Sequence, residues 1–203
     1  MLRLHDNLTS GNGFKVRLLL AQLGLPYQRI EYDIDRRETR TPEFLLKNPN
    51  GRIPVLELED GSFLPESDAI LWYLAEGTRF LPDDRRVRAE VLQWMFFEQY
   101  THEPNIATVR YWITHAVPVT PLIELSMPAK RAQGVAALAV MEGHLARRTF
   151  FVGGRYTIAD IALYAYTHVA GEGGFNLDNF PHVNAWLARV ADRPGHVTID
   201  HKS

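Results

Sequence analysis

The sequence contains no cysteine among its 203 residues. This absence excludes disulfide frameworks, thiolate metal sites and any mechanism in which a protein thiol attacks a substrate. Acidic and basic residues are interspersed and nearly balance, at a net charge of −2, so no broad basic face favours a nucleic-acid partner. No apolar run is long enough to span a membrane, and the first residues do not resemble a signal peptide. We therefore expect a cytoplasmic protein without nucleic-acid or membrane partners.

Other chemical signatures are also lacking. The eight histidines are scattered, with no H-E-x-x-H motif and no i, i+4 pair, so we expect no metal site. The chain has neither a G-x-S-x-G elbow nor a Walker loop, which removes the usual indications of a serine hydrolase or an ATPase. An apolar content of 46% is nevertheless ample for a packed core.

The N-terminal part carries the pattern of a small α/β domain, residues 1–78. Apolar residues with helical spacing precede Gly24, a common helix stop, and the Asp60-Gly61 pair is typical of a hairpin turn. The order of elements is therefore βαβ followed by ββα. The predicted bounds are a strand at 1–5, a helix at 14–23, a strand at 27–33, a short helix at 42–46, a hairpin at 55–58 and 62–64, and a helix at 68–76.

A linker is predicted at residues 79–84, and the rest of the chain, 85–203, has helical spacing without a convincing strand pair. The fold class is thus α/β plus all-α. Thr157 and Asp160 form a capping-box pattern, which predicts a buried helix start. The predicted helices cover 85–101, 106–116, 129–147, 158–169 and 182–191.

One segment predicts a binding site for a small peptide-like anion. Ser67 is a good N-cap, and the N–H groups of the helix start would favour a carboxylate, while Glu66 could take an ammonium group. If the Ile53-Pro54 bond were cis, the backbone of Ile53 could pair with a bound peptide in β-fashion. The alternative is a capped helix after a hairpin, with no ligand.

Three stretches carry a family resemblance: "NPNGRIPVLE", "LPESDAILWYLAEGT" and, in the helical part, "YTIADIAL". In this order and spacing the chain resembles a cytosolic glutathione transferase over nearly its whole length. The resemblance implies a thioredoxin-like glutathione-binding domain, a helical domain that supplies the second-substrate pocket, and a homodimer.

The resemblance also implies how glutathione would be held. In such proteins an acidic-Ser pair holds the γ-glutamyl end, and the residue before a cis-proline pairs with the cysteinyl unit. A side chain two positions before that proline often reaches the glycyl carboxylate. The residues implied here are Arg52, Ile53, Pro54, Glu66, Ser67 and, as a less direct helper, Arg40.

Tyrosine-type transferases place a Tyr at the end of the first strand, and this chain has neither Tyr nor Cys there, so the resemblance implies that a hydroxyl acts instead. The stretch Lys15-Val16-Arg17 resembles the K/R-V-R start of the first helix in Ser- and Cys-type classes. Counted back from this stretch, the catalytic position is Ser10, with Thr9 as its neighbour. The stretch "SGNGFK" also resembles the T-P-N-G-x-K turn of the bacterial nu-like class, which implies Ser10 and Asn12. These side chains would donate to the glutathione sulfur and favour its thiolate. The alternative is that Ser10 or Asn12 simply caps the helix.

Three functions follow from the resemblance. The first is conjugation of glutathione to a small hydrophobic electrophile, in detoxification. The second is reduction of a disulfide or peroxide by bound glutathione, and the third is a non-catalytic, transferase-like binding protein. Tyr100 and Tyr111 are predicted to line the acceptor site, and Arg110 is a candidate for a second anion site.

Overall fold

The computed structural model describes residues 1–202, which form two compact units. One unit holds Met1–Thr78 together with the chain from Arg193 onward, and the other holds Arg79–Asp192. The sequence analysis assigned all of residues 85–203 to the helical domain, whereas in the structure the chain from Arg193 onward belongs to the α/β unit. The physical reason is local packing: Arg17 binds the carbonyl oxygen of Ile199, and a Cβ added to Gly195 would lie 3.0 Å from the Cα of Gln22.

The α/β unit follows the predicted order of elements. Its first helix, α1, begins three residues before the predicted start, because Ser10 is the N-cap and Gly11 is therefore the first helical residue. The other bounds agree with the predictions within three residues. The elements are β1 (Leu2–Asp6), α1 (Gly11–Leu23), β2 (Tyr27–Glu31), a 3-10 turn (Glu38–Arg40), α2 (Pro42–Lys47), β3 (Val55–Glu57), β4 (Phe63–Pro65) and α3 (Ser67–Ala75).

The four strands form one mixed sheet in the order β2-β1-β3-β4. Strand β1 runs parallel to β2 and antiparallel to β3, which forms a hairpin with β4. In register, His5 lies opposite Val55, which in turn lies opposite Pro65. The end of β1, the start of β3 and the end of β4 therefore meet at one edge. This is the thioredoxin-like domain that the sequence predicts.

Helix α1 packs against α3 and is buried along almost its whole length. Its core residues are apolar, among them Phe14, Val16 and Leu18, each 0% exposed. Two charged residues share this environment, Lys15 at 0% and Arg17 at 1% exposed. Because a buried charge is costly unless it is paired, both need partners inside the unit.

The second unit is helical, as predicted. The gap predicted between the helices at 85–101 and 106–116 does not occur. A π-helical turn (Glu98–His102) joins the two helices, and Pro104 lies in the first turn of the second, where a missing N–H is tolerated. Its elements are α4 (Arg85–Phe97), α5 (Glu103–Thr114), α6 (Pro121–Leu145), α7 (Ile158–Thr167), a 3-10 turn (Ala170–Gly173) and α8 (Pro181–Ala191). Between residues 1 and 202, no helix combines the length and apolarity that a bilayer crossing requires.

The capping box at the start of α7 is confirmed. The Asp160 carboxylate, 0% exposed, accepts hydrogen bonds from the N–H groups of Thr157 (2.9 Å) and Phe151 (3.1 Å) and from Nε1 of Trp186 (3.0 Å). Burial raises the pKa of Asp160 to about 6, against the opposing effect of these donors. Asp160 therefore joins three segments of the helical core and serves its stability, in agreement with the sequence prediction.

Candidate functional site

The predicted site residues of the α/β unit lie at the sheet edge where β1 and β4 end and β3 begins. Ser10 follows β1, Pro54 directly precedes β3, and Ser67 begins α3 two residues after β4. The register that pairs Val55 with Pro65 brings the last two into the same region of the hairpin. Residues separated by more than 40 positions in sequence thus share one face of the unit.

Ser10 is the N-cap of α1. Its backbone is extended, with φ −71° and ψ 123°, and its Oγ accepts a hydrogen bond from the N–H of Gly13 at 3.1 Å. Capping uses Oγ as an acceptor, so the hydroxyl keeps its hydrogen for donation to another group. The capping alternative is thus realised, and it is compatible with a role as a donor to a ligand.

Thr9 and Asn12, the neighbours of Ser10, differ in their surroundings. Thr9 is exposed, and its Oγ1 donates to Oδ1 of Asn7 at 2.7 Å, which turns its hydroxyl toward the strand-to-helix turn. Asn12 is half-buried, and its Oδ1 accepts a hydrogen bond from Oγ of Ser67 at 3.3 Å. Asn12 is therefore the predicted catalytic residue that directly contacts the predicted anion site.

The structure corrects the predicted role of Ser67 as an N-cap. Glu66 occupies the cap position, with φ 71° and ψ 113°, and Ser67 is the first residue of α3. Such a positive φ is unfavourable for a residue with a Cβ and is often found at functional sites. Glu66 is exposed, while Ser67 is only 4% exposed. The turn thus presents the carboxylate of Glu66 outward and holds the hydroxyl of Ser67 inside.

A buried lysine that the sequence prediction missed lies behind Ser67. Nζ of Lys15 lies 3.4 Å from Oγ of Ser67 and 3.1 Å from Oδ1 of Asp68. Burial raises the pKa of Asp68 above its ordinary value, while the Lys15 ammonium opposes that rise. Within residues 1–202, Oδ2 of Asp68 has no hydrogen-bond partner. The sequence did contain a signal that could have revealed this buried lysine: Lys15 is a charged residue between Phe14 and Val16, in a helix that is apolar on nearly every side.

The loop before β3 brings the other predicted residues together. The Ile53-Pro54 peptide bond is cis. Among residues 1–202, no hydrogen bond engages the backbone N–H or C=O of Ile53. Exposed Arg52 is held through its carbonyl oxygen, which accepts from Nδ2 of Asn48 at 2.8 Å. This arrangement leaves the backbone of Ile53 able to pair with an extended ligand.

Arg40 contacts the same loop. Its Nη1 donates to the carbonyl oxygen of Asn50 at 2.8 Å, and a Cβ added to Gly51 would lie 2.5 Å from that nitrogen. Gly51 itself has a φ of 62°, which favours glycine. Arg40 is exposed and places a cation on the loop that carries Arg52.

A second buried ion pair supports the turn that carries Ser10. Nε of Arg17 lies 2.9 Å from Oδ2 of Asp6, and its Nη2 donates to the carbonyl oxygen of Leu8 at 2.7 Å. A Cβ added to Gly13 would lie 1.6 Å from Oδ1 of Asp6, so the carboxylate packs directly on the first turn of α1. Burial raises the pKa of Asp6 to about 6, although Arg17 lowers it.

The predicted acceptor residues lie in the helical unit. Tyr100, in the π-helical turn, is 88% exposed. Tyr111 is 39% exposed and its ring lies 4.3 Å from that of His115. Arg110 is 8% exposed, and its Nε donates to Oε2 of Glu172 at 2.7 Å. The Arg110 guanidinium is thus already engaged by one carboxylate.

No group of His, Asp or Glu side chains among residues 1–202 is arranged to hold a metal ion. The site instead offers hydroxyl, amide and ammonium donors close to a carboxylate and an unpaired segment of backbone. Such a set can bind a zwitterionic, peptide-like ligand and stabilise negative charge on an atom near Ser10 and Asn12.

Comparison with known proteins identifies two domains along the chain. The profile of a family described as "Glutathione S-transferase, N-terminal domain" matches residues 9–76, and that of "Glutathione S-transferase, C-terminal domain" matches residues 126–194. Among curated relatives, "Disulfide-bond oxidoreductase YfcG" of Escherichia coli is 32% identical over 190 residues, which cover 90% of this chain and 87% of YfcG.

Two solved structures have closely similar folds. A glutathione S-transferase from Pseudomonas fluorescens is 49% identical, with a TM-score of 0.94 and 98% of each chain covered. The glutathione transferase URE2P8 from Phanerochaete chrysosporium, solved with oxidized glutathione, is 26% identical, with a TM-score of 0.85, 96% of this chain and 90% of that chain covered.

Proposed function

This chain belongs to the glutathione S-transferase family, and we propose that it binds glutathione and transfers its thiolate to a small hydrophobic electrophile. The observation that carries the proposal is the shared edge of the α/β unit. There Ser67 lies between Lys15 and Asn12, beside Glu66 and the unpaired backbone of Ile53.

Each charged or polar part of glutathione has a proposed partner. Glu66 takes the α-ammonium group of the γ-glutamyl end, and Ser67 donates to its α-carboxylate. The backbone of Ile53, before Pro54, pairs with the cysteinyl unit in β-fashion. Arg52, with Arg40 beside it, takes the glycyl carboxylate.

The proposed chemistry needs no protein thiol and no general base. A free thiol has a pKa of about 8.5 and is mostly protonated at pH 7. Ser10 O–H and the Asn12 amide donate to the sulfur, and the N-terminus of α1 adds a favourable dipole, so the thiolate is stabilised. This use of Ser10 and Asn12 corresponds to the nu-like class, which we propose for this chain. Thr9 is a weaker candidate, because its hydroxyl already donates to Asn7.

The test is calorimetry of glutathione binding. Glu66→Ala and Ser67→Ala should each weaken binding by about 1–3 kcal/mol, because each leaves part of a zwitterion unpaired. Glu59→Ala is a matched control, since Glu59 is an exposed carboxylate in the turn between β3 and β4 and pairs with the amino terminus. Wild-type affinity in both site variants would contradict the proposed site.

A second function, reduction of disulfides by glutathione, is favoured by the likeness to the Escherichia coli oxidoreductase. One glutathione thiolate would attack the substrate disulfide and release one thiol, and a second glutathione would release the other while oxidised glutathione forms. Two glutathione molecules thus supply the two electrons, without a protein cysteine. A panel of halogenated arenes, organic hydroperoxides and a mixed disulfide, each with glutathione, decides between these functions.

The acceptor residues and the assembly remain predictions. Tyr100 and Tyr111 are proposed to contact the electrophile, and Arg110 a second anionic ligand, although its pairing with Glu172 favours a structural role. A homodimer, a cytoplasmic location and a role in detoxification are proposed from the family alone. Light scattering at micromolar concentration tests the dimer.

A further inference from the structure

Lys15 is a fully buried ammonium group with no direct place in the proposed chemistry. It lies in the second turn of α1, at 0% exposure, between the apolar residues Phe14 and Val16. Burial of an ammonium group is costly unless it is paired and hydrogen-bonded. Two of its contacts point to what it does: one is the carboxylate of Asp68, and the other is the hydroxyl of Ser67.

The hydrogen bonds around Ser67 have a fixed direction. An ammonium group has only donors, so Lys15 must donate to Oγ of Ser67 and thereby occupies one of its lone pairs. The hydroxyl hydrogen of Ser67 must then go to another acceptor, which in this structure is Oδ1 of Asn12 at 3.3 Å. The chain of donation therefore runs from Lys15 to Ser67 and on to Asn12.

The second contact explains how the ammonium group is retained. Oδ1 of Asp68 lies 3.1 Å from Nζ of Lys15, and the Asp68 side chain is only 14% exposed. Asp68 follows Ser67 directly in α3, so the same helical turn supplies these two partners of Lys15. The ion pair fixes Nζ against Oγ of Ser67, so the hydroxyl hydrogen of Ser67 must point away from Lys15.

We propose that Lys15 is a positioning residue that keeps the Ser67 hydroxyl a hydrogen-bond donor. Its one hydrogen, which Oδ1 of Asn12 accepts in this structure, then turns to the α-carboxylate of glutathione when the ligand binds. Without Lys15, the hydroxyl could rotate and satisfy itself with other neighbours, and the carboxylate would lose a directed donor. This inference rests on the proposed function, because it assigns Lys15 a role in recognising one group of the same ligand.

The experiment compares two ligands: glutathione, and the analogue with a 4-aminobutyryl group in place of γ-glutamyl, which lacks only the α-carboxylate. Lys15→Met alone would leave Asp68 unpaired in the core and could fail to fold. The main variant is therefore Lys15→Met with Asp68→Ala, which removes both charges. Calorimetry gives Kd for each ligand, and circular dichroism checks that each variant is folded.

We expect the double variant to bind glutathione roughly tenfold more weakly than the wild type, the effect of one lost hydrogen bond to a charged group. Its affinity for the decarboxylated analogue should stay within about twofold of the wild type, because that ligand never used the Ser67 hydroxyl. Asp68→Ala alone keeps Lys15 and should show the smaller loss for glutathione.

Leu19→Ala is the control for a general loss of stability. Leu19 lies in the same helix, is 0% exposed, and is apolar, so its truncation destabilises the unit without touching the hydrogen bonds of Ser67. It should bind both ligands within about twofold of the wild type.

Three results overturn the inference. If the double variant binds glutathione as well as the wild type does, Lys15 has no positioning role. If it loses the same factor for both ligands, its role is structural only. If the wild type binds neither ligand, the proposed function itself is wrong, and the inference is overturned together with it.

Discussion

Arg17 donates a hydrogen bond from Nη1 to the carbonyl oxygen of Ile199, at 2.6 Å, and so ties the end of the chain to the first helix. The same guanidinium pairs with Asp6 and donates to the carbonyl oxygen of Leu8. Three separate segments therefore depend on one cation: the C-terminal tail, the end of β1 and the turn that leads to Ser10. Changes at Arg17 should affect both the stability of the α/β unit and the order of that turn.

Arg17→Met should lower the free energy of unfolding at pH 7 by about 3–5 kcal/mol, the usual effect of removing one partner of a buried ion pair. Urea denaturation followed by circular dichroism measures this loss. Adding Asp6→Asn to Arg17→Met removes the uncompensated carboxylate and should restore part of the stability. A loss below about 1 kcal/mol in the single variant would show that the pair is not buried as described.

Gly13→Ala should destabilise the α/β unit strongly, because the new Cβ would lie 1.6 Å from Oδ1 of Asp6 and one of the two must move. We expect a loss of at least about 2 kcal/mol. Gly143→Ala is the matched control: Gly143 is exposed inside α6, and a Cβ there meets nothing within 4 Å. That control should instead gain about 0.5–1 kcal/mol from helix propensity. Equal effects of the two substitutions would contradict the placement of Asp6.

The pKa of Asp6 predicts that its contribution to folding stability decreases as pH rises. Burial raises this pKa to about 6 in the folded protein, above the ordinary 3.8. Between these two values the folded state binds the proton more readily than the unfolded state does, so the contribution of Asp6 favours folding at low pH and is lost as pH rises through about 6.

The measurement is the difference in unfolding free energy between the wild type and Asp6→Asn at pH 4, 5, 6 and 7. Relative to the variant, the wild type should lose on the order of 3 kcal/mol across this range. Asp160 also has a pKa of about 6, but it is present in both proteins, so its titration cancels in the difference. A difference that does not change with pH would refute the assignment.

Apolar spacing and turn residues were sufficient to predict the order of elements. Gly24 and the Asp60-Gly61 turn mark boundaries by local chemistry, so they could be read without tertiary information. The gap expected between the helices at 85–101 and 106–116 was wrong, because a π-helical turn continues the first helix into the second. The association of the tail with the α/β unit was also missed, since it depends on a contact between residues 182 positions apart.

The sequence suggested the outer residues of the candidate site but not the buried lysine behind them. Glu66, Ser67 and Ile53 belong to short motifs with recognisable spacing, whereas Lys15 is an isolated charge in an apolar helix. Its meaning depends on Asp68 lying next to it in space, 53 residues further along the chain. Local sequence cannot show such a pairing, because a lysine or an aspartate taken alone is equally compatible with an exposed position on the surface.

Ser10→Ala tests the proposed thiolate donor. Loss of the hydroxyl should raise the pKa of the bound glutathione thiol, which ultraviolet absorption of the thiolate measures directly, while calorimetric affinity changes little. If one donor is worth about 1.4 kcal/mol, the pKa rises by about one unit and turnover at pH 7 falls up to tenfold. The loss should shrink above pH 9, because the thiol then ionises without help.

Ser10 also caps α1, so Ser10→Gly, which removes the hydroxyl at a smaller cost to the helix, serves as the second variant. If both variants keep the wild-type thiol pKa and pH profile, Ser10 is only a cap, and the role of donor passes to Asn12.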